Sequence, residues 1–250
     1  MDIKTYLERI NVEALSGDPL KDLQLLIKQH IMTVPFENLD VLHKVPITLN
    51  LERIYQKIVE NHRGGFCYEV NGLFHWLLSS LGYDVKRIAS TVAKSETEWY
   101  RKNTHLSNIV TIDGKEYVVD VGFGDSSYSP IPLDGEVVKD VGGNYRIKRV
   151  DDTYYDLQKY DEQKWKVKYR FTKKVRSYSF FEEVCQWNQQ SPESSFTQKT
   201  IVTLGTLKGR VTLTDDEVIT TVNGQKTKRP YDQNELPKIL KDSFGISIPK

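Results

Sequence analysis

The hydrophobic period of this chain changes near residue 83, from a spacing of three and four to a spacing of two. That switch narrows the folds available, because helices followed by strands give an α+β architecture and not an alternating parallel sheet. Before the switch, Leu20, Leu23, Ile27 and Ile31 in "DPLKDLQLLIKQHIM" mark a helix with Asp18 as N-cap, Pro19 in the first turn and Pro35 as its stop. "NLERIYQKIVENHRGG" repeats the pattern with Leu51, Ile54 and Ile58 and is expected to run to Gly64. A third helix starts near Cys67, carries Val70, Phe74, Leu77, Leu78 and Leu81 on one stripe, and closes at Gly82.

After Asp84 the segments "VKRIASTVA", "HLSNIVTI", "KEYVVDVGF", "YYDLQKY" and "WKVKYRF" read as short strands, with turns at Asp113-Gly114 and Asp161-Glu162. They predict an antiparallel sheet or small barrel. Beyond "NQQSPESSF" come strands "IVTLGT", "RVTLT" and "EVITTV", an Asn223-Gly224 turn, and a last helix "NELPKILKDSF" with Asn234 as its cap.

At 250 residues the chain can bury a sizeable core as one large domain or two to three small ones. Charged residues make up 28% of it and nearly cancel, to a formal +1, so nothing favours nucleic acid or an anionic membrane as partner. The N-terminal "MDIKTYLERINVE" has no apolar core, and no segment reaches the roughly 20 apolar residues of a membrane helix, so a cytosolic protein with free thiols is expected. The five histidines and two cysteines lack metal-ligand spacing, and no metal is expected. Nothing in the sequence speaks to oligomeric state.

One stretch, "HRGGFCYEVNG", asks for chemistry. Most lone cysteines are small buried hydrophobes, and Cys185 in "FFEEVCQWNQ" is read that way. Cys67 follows Gly64-Gly65, a pair that permits a tight bend and places the residue in the first turn of a helix. Free N–H groups and the positive end of the helix dipole there favour the reactive thiolate form of a cysteine. A base is then needed. His62 lies across the glycine bend, His75 is two turns along the helix, and His30 and His43 lack an acidic partner.

His105 has one. If Asp113 and Gly114 are the central residues of a type I′ hairpin, Ile112 pairs with Lys115 and Ser107 faces Asp120. Asp120 is then the diagonal neighbour of His105 on one face, at about 7–8 Å between Cα atoms. The order Cys67, His105, Asp120 supplies a nucleophile, a base and an orienting acid.

With these residues in view, the chain resembles the arylamine N-acetyltransferases. The likeness rests on "PFENL" at Pro35–Leu39, "RGGFCYEVN" at Arg63–Asn71, "THL" at Thr104–Leu106, "VDVGFG" at Val119–Gly124, "SPESSF" at Ser191–Phe196 and "FGI" at Phe244–Ile246. It implies a helical bundle over 1–83 carrying the cysteine, a β-barrel over 84–190 carrying the histidine and aspartate, and an α/β lid over 191–250, around a cysteine-protease or transglutaminase-like Cys-His-Asp core.

It also implies two-step acetyl transfer from acetyl-CoA, by way of Cys67, to an aromatic amine or hydrazine, with the triad Cys67, His105 and Asp120. The backbone N–H groups of Cys67 and Thr104 are the candidate oxyanion donors. Phe36, Phe66 and Phe123 are candidates for an aryl slot, and Gly122 and Gly124 for close passage of the CoA arm. Arg63 and Glu69 are expected to pair and brace the cysteine loop. "SPESSF" is read as a polar turn at a domain junction. The C-terminus is short for the family. Three alternatives stand beside this reading: an amide synthase of the same fold taking its acyl group from a carrier, a cysteine peptidase or transglutaminase-like hydrolase, and a non-catalytic binding protein.

Overall fold

The computed structural model describes residues 1–247. Its main N-terminal helices are Ile3–Arg9, Pro19–Thr33 and Cys67–Ser80. Asp18 caps the second as the sequence indicates, accepting from the backbone N–H groups of Leu20 and Lys21 at 3.2 Å each. Their apolar faces meet in a core that includes Tyr6, Leu23, Ile27, Ile58, Phe74 and Leu77, all but fully buried. Each such side chain contributes about 1.5–3 kcal/mol on leaving water.

The helix expected to reach Gly64 stops earlier. Leu51–Tyr55 is α-helical and Gln56–Glu60 widens into a π-helical turn. The released residues run alongside "PFE" instead: Gly65 N–H donates to the Pro35 carbonyl at 3.2 Å, and Glu37 N–H donates to the Gly65 carbonyl at 3.0 Å. A side chain at Gly64 would have its Cβ 2.0 Å from the Pro35 oxygen, so only glycine fits there.

Eight strands form one antiparallel sheet, in the order Ile131–Pro132, Lys115–Val119, His105–Ile112, Asp84–Val92, Lys164–Phe171, Tyr155–Asp161, Gly143–Arg149 and Val138–Asp140. The first lies against Gly143–Arg149 near the other edge, so the sheet curls into a nearly closed barrel filled by Ile88, Ile109, Val118, Ile147, Leu157 and Phe171. Ile131–Pro132, Val138–Asp140 and Gly143–Arg149 escape the sequence reading because they are short or half polar. The central hairpin has the assumed register, Ile112 opposite Lys115 and Asn108 opposite Val119. Asp113 and Gly114 both take positive φ, +50° and +76°, as a type I′ turn demands.

A second antiparallel sheet runs Phe36–Glu37, Val202–Thr206, Gly209–Leu213, Glu217–Val222 and Gln225–Pro230. Its first strand comes from the helical third of the chain, with Phe36 paired to Thr203, so the "PFENL" segment is stitched to the C-terminal sheet. The last helix, Leu236–Phe244, packs on that sheet through Ile239, Leu240 and Phe244. Its entry is a 3₁₀ turn, Gln233–Glu235, capped by Asp232 instead of Asn234, with Asp232 N–H donating to Glu235 at 3.1 Å.

Candidate active site

Cys67 is the first residue of its helix and is 2% exposed. The loop in front of it is held by charges, of which Glu37 and Glu69 are buried and Asp40, Lys57 and Arg63 half-buried. Arg63 Nη2 lies 2.7 Å from Glu37 and 2.8 Å from Asp40, while Lys57 Nζ lies 2.8 Å from both Asp40 and Glu69. The expected Arg63–Glu69 pair therefore does not form. Glu69, three residues into the helix, turns back so that Phe66 N–H donates to its carboxylate at 3.2 Å, and Lys57 supplies its countercharge. Burial holds Glu69 above the usual carboxylate range even so.

His105 opens its strand, and Asp120 follows the last residue of the neighbouring one. His105 Nε2 is 2.6 Å from Asp120 Oδ2, which leaves Nδ1 as the ring nitrogen free to serve the thiol. Asp120 Oδ1 accepts from Asn71 Nδ2 at 2.8 Å and from Gly122 N–H at 2.9 Å. Asn71 also donates to the Leu106 carbonyl and accepts from Val121 N–H, so one amide ties the cysteine helix to both strands. Burial works against charge at both partners and loses. The Asp120 carboxylate and its hydrogen bond, with Cys67 adding to them, push His105 up to about 10, and His105 with the two donors holds Asp120 below its ordinary value.

Cys67 and His105 face a cavity of about 210 Å³ whose wall includes Phe36, Thr104, Gly122, Phe123 and Phe196. Phe123 meets the His105 ring edge-on, 5.3 Å between centroids. Gly122 crosses so close beneath the helix start that an added Cβ would sit 3.0 Å from Cys67 Cα. Phe66 is fully buried and packs edge-on against Tyr68 and Phe196, behind the cavity wall. Gly124 faces away from the cavity, against the Phe36 ring and beside a smaller hollow under the second sheet.

Sequence reasoning missed Tyr100, Trp187, Asn188 and the "SPESSF" residues Glu193–Phe196, all of which line the cavity. For the last group the sequence offers the motif itself, whose polar residues suggest no more than a turn. The other cysteine and histidines stand apart. Cys185 is a buried free thiol, pushed up by burial. His30 is buried among the helices with Nε2 3.0 Å from the Tyr6 hydroxyl, and His62 sits at the bend with φ +52°. Among the described residues, no group of three or more His, Cys, Asp and Glu side chains is placed to hold a metal ion, and no helix is long and apolar enough to cross a membrane.

A thiol at a helix start, an imidazole whose charged form is favoured by its neighbour, and the carboxylate that orients it, opening on an apolar hollow, form a site suited to covalent acyl transfer by sulfur on a mixed α+β scaffold. Comparison with known proteins defines the group more closely. A family model described as N-acetyltransferase matches residues 19–250. Arylamine N-acetyltransferase 2 of Rattus norvegicus is 30% identical over 99% of this chain and 95% of its own. The structure of Mycobacterium marinum arylamine N-acetyltransferase in complex with CoA is 30% identical, with a TM-score of 0.91 over 98% of this chain and 93% of that one. The chain belongs to the arylamine N-acetyltransferase family of acyltransferases. Proansamycin X synthase of Amycolatopsis mediterranei is 30% identical as well, over 91% of this chain and 90% of its own.

Proposed function

We propose that the chain transfers an acetyl group from acetyl-CoA to an aromatic amine or hydrazine through an acetyl-Cys67 intermediate. The observation that carries this reading is the 2.6 Å His105–Asp120 pair, with His105 and Cys67 lining one mainly apolar cavity.

With its proton on His105, the Cys67 sulfur attacks the thioester carbonyl, and the new C–S bond leaves a tetrahedral oxyanion. The Cys67 N–H, at the first helical position and without an intrahelical acceptor, is the first donor for that oxygen, and the Thr104 N–H is the second candidate. The bond to CoA then breaks, and His105 returns its proton to the leaving thiolate. An amine next attacks acetyl-Cys67; His105 takes the amine proton as the C–S bond breaks, and Asp120 holds the tautomer throughout. An aromatic amine is uncharged at neutral pH and fits the slot between Phe36, Phe123 and Phe196. The segments 1–83, 84–190 and 191–250 act as nucleophile carrier, base carrier and lid. The two free thiols suit a cytosolic setting.

A second reading, an amide synthase using a carrier-bound acyl donor, is favoured by the likeness to Proansamycin X synthase. Intact-protein mass spectrometry after brief exposure to acetyl-CoA without acceptor separates the two. One acetyl group on wild type, absent from Cys67→Ala and discharged by an arylamine, is the expected result. No adduct on a free Cys67 would set aside acetyl-CoA as donor and bring the synthase forward.

A further inference from the structure

Next to the sulfur lies a group that competes for its proton. The Thr104 carbonyl oxygen is 3.9 Å from Cys67 Sγ, within reach of an S–H donor. A thiol that gives its hydrogen to this oxygen is not giving it to His105. The same oxygen, however, already accepts from the Tyr68 hydroxyl at 2.7 Å, and Asn188 Nδ2 stands 3.5 Å from it. Asn188 Nδ2 also donates to the Tyr68 oxygen at 2.9 Å, and its Oδ1 accepts from Ser194 at 3.2 Å. Tyr68 is fully buried, and burial keeps its hydroxyl protonated and therefore a donor.

We infer that Tyr68 is a positioning residue for the reaction: its hydroxyl, oriented by Asn188, occupies the Thr104 carbonyl so that the Cys67 proton goes to His105. A bare carbonyl dipole pointing at a thiolate raises its energy, and one already engaged by two donors does so less. The same hydroxyl joins the cysteine helix to the residue before His105, fixing the approach of sulfur to imidazole. This inference rests on the reading of Cys67 as nucleophile. The other titratable and charged groups around the thiol and hydroxyl are His105 and Asp120 from the barrel, Cys185 from the Glu182–Gln190 helix, Glu69 on their own helix, Arg101 from the preceding loop and Tyr178. All of them remain when only the Tyr68 oxygen is removed.

The test is the rate of Cys67 alkylation by iodoacetamide against pH, with thermal unfolding of the same samples, for wild type, Tyr68→Phe, Asn188→Ala and Val12→Ala. Val12 lies in the helical core away from the site, so its truncation lowers stability without touching this oxygen. The expected result for Tyr68→Phe is a midpoint raised by about one pH unit, with alkylation slowed about tenfold at pH values below both midpoints. Asn188→Ala should shift the same way by less, and it carries the test should Tyr68→Phe not fold; Val12→Ala should not shift at all. Superimposed profiles for Tyr68→Phe and wild type, or equal shifts in Tyr68→Phe and Val12→Ala, would overturn the proposal. A wild type that reacts at pH 6 no faster than a model thiol would overturn the nucleophile itself, and this inference with it.

Discussion

Asp120 lies one residue beyond the strand that delivers it, yet its Oδ2 is 2.6 Å from His105 Nε2. The hairpin register brings the two side chains to one face, and donors from Asn71 and Gly122 hold the carboxylate once the ladder has ended. Asp120→Asn keeps the shape and loses the charge, and an amide has no means of holding the imidazole in its working tautomer. Acetyl transfer should fall by about 10⁴ while the fold survives. Steady-state kinetics beside a thermal melt checks this, and activity within tenfold of wild type would remove Asp120 from the mechanism.

His30 makes the helical core sensitive to acid. Burial lowers it to about 3, with Arg9 acting the same way, whereas in the unfolded chain it titrates near 6.5. The unfolded state therefore binds the proton first. The stability is fully present above about pH 6.5 and is lost as pH falls toward 3, at about 1.4 kcal/mol for each pH unit between. His30→Gln can keep a partner for the Tyr6 hydroxyl and cannot titrate. Urea midpoints at pH 7 and pH 5 should drop less in the variant than in wild type, and equal drops would contradict this account.

Lys57 is 16% exposed and serves Asp40 and Glu69, both at 2.8 Å, with Glu37 at 4.0 Å. Lys57→Met fills the space and strands those carboxylates, a change that costs about 3–5 kcal/mol for a buried network broken on one side. A melting temperature unchanged from wild type would mean that Arg63 alone neutralises the cluster.

Most of the frame was legible because local chemistry dictates it. Asp18-Pro19 starts a helix, Asp113-Gly114 fixes a hairpin and its register, and Gly64-Gly65 sets Cys67 at a helix start. What escaped depends on distance along the chain. The Phe36–Glu37 strand has two residues, too few for any period, and its partner lies more than 160 residues away at Val202 and Thr203. Trp187, Asn188 and Phe196 reach the cavity only through packing of the Glu182–Gln190 helix and the turn after it. The Lys57 network draws charges from four stretches of chain, so no single spacing announces it.

Gly122 tests how tightly the two halves of the site are fitted. It needs no unusual backbone angle; what it lacks is room. An alanine Cβ would come within 2.7 Å of Asn71 Nδ2 and Val70 Cγ2, and within 3.0 Å of Cys67 Cα. Relief requires either the loop carrying Asp120 and Phe123 or the start of the cysteine helix to move, and each carries part of the triad. A displacement near 1 Å between nucleophile and base costs about 10²-fold in rate. Gly122→Ala should therefore slow formation of acetyl-Cys67 by about that factor, measured by rapid quenching and mass spectrometry beside a thermal melt, because Val70 of the helical core also meets the added methyl. Formation at the wild-type rate would mean that the loop and helix part without disturbing the sulfur, and that the close crossing is packing alone.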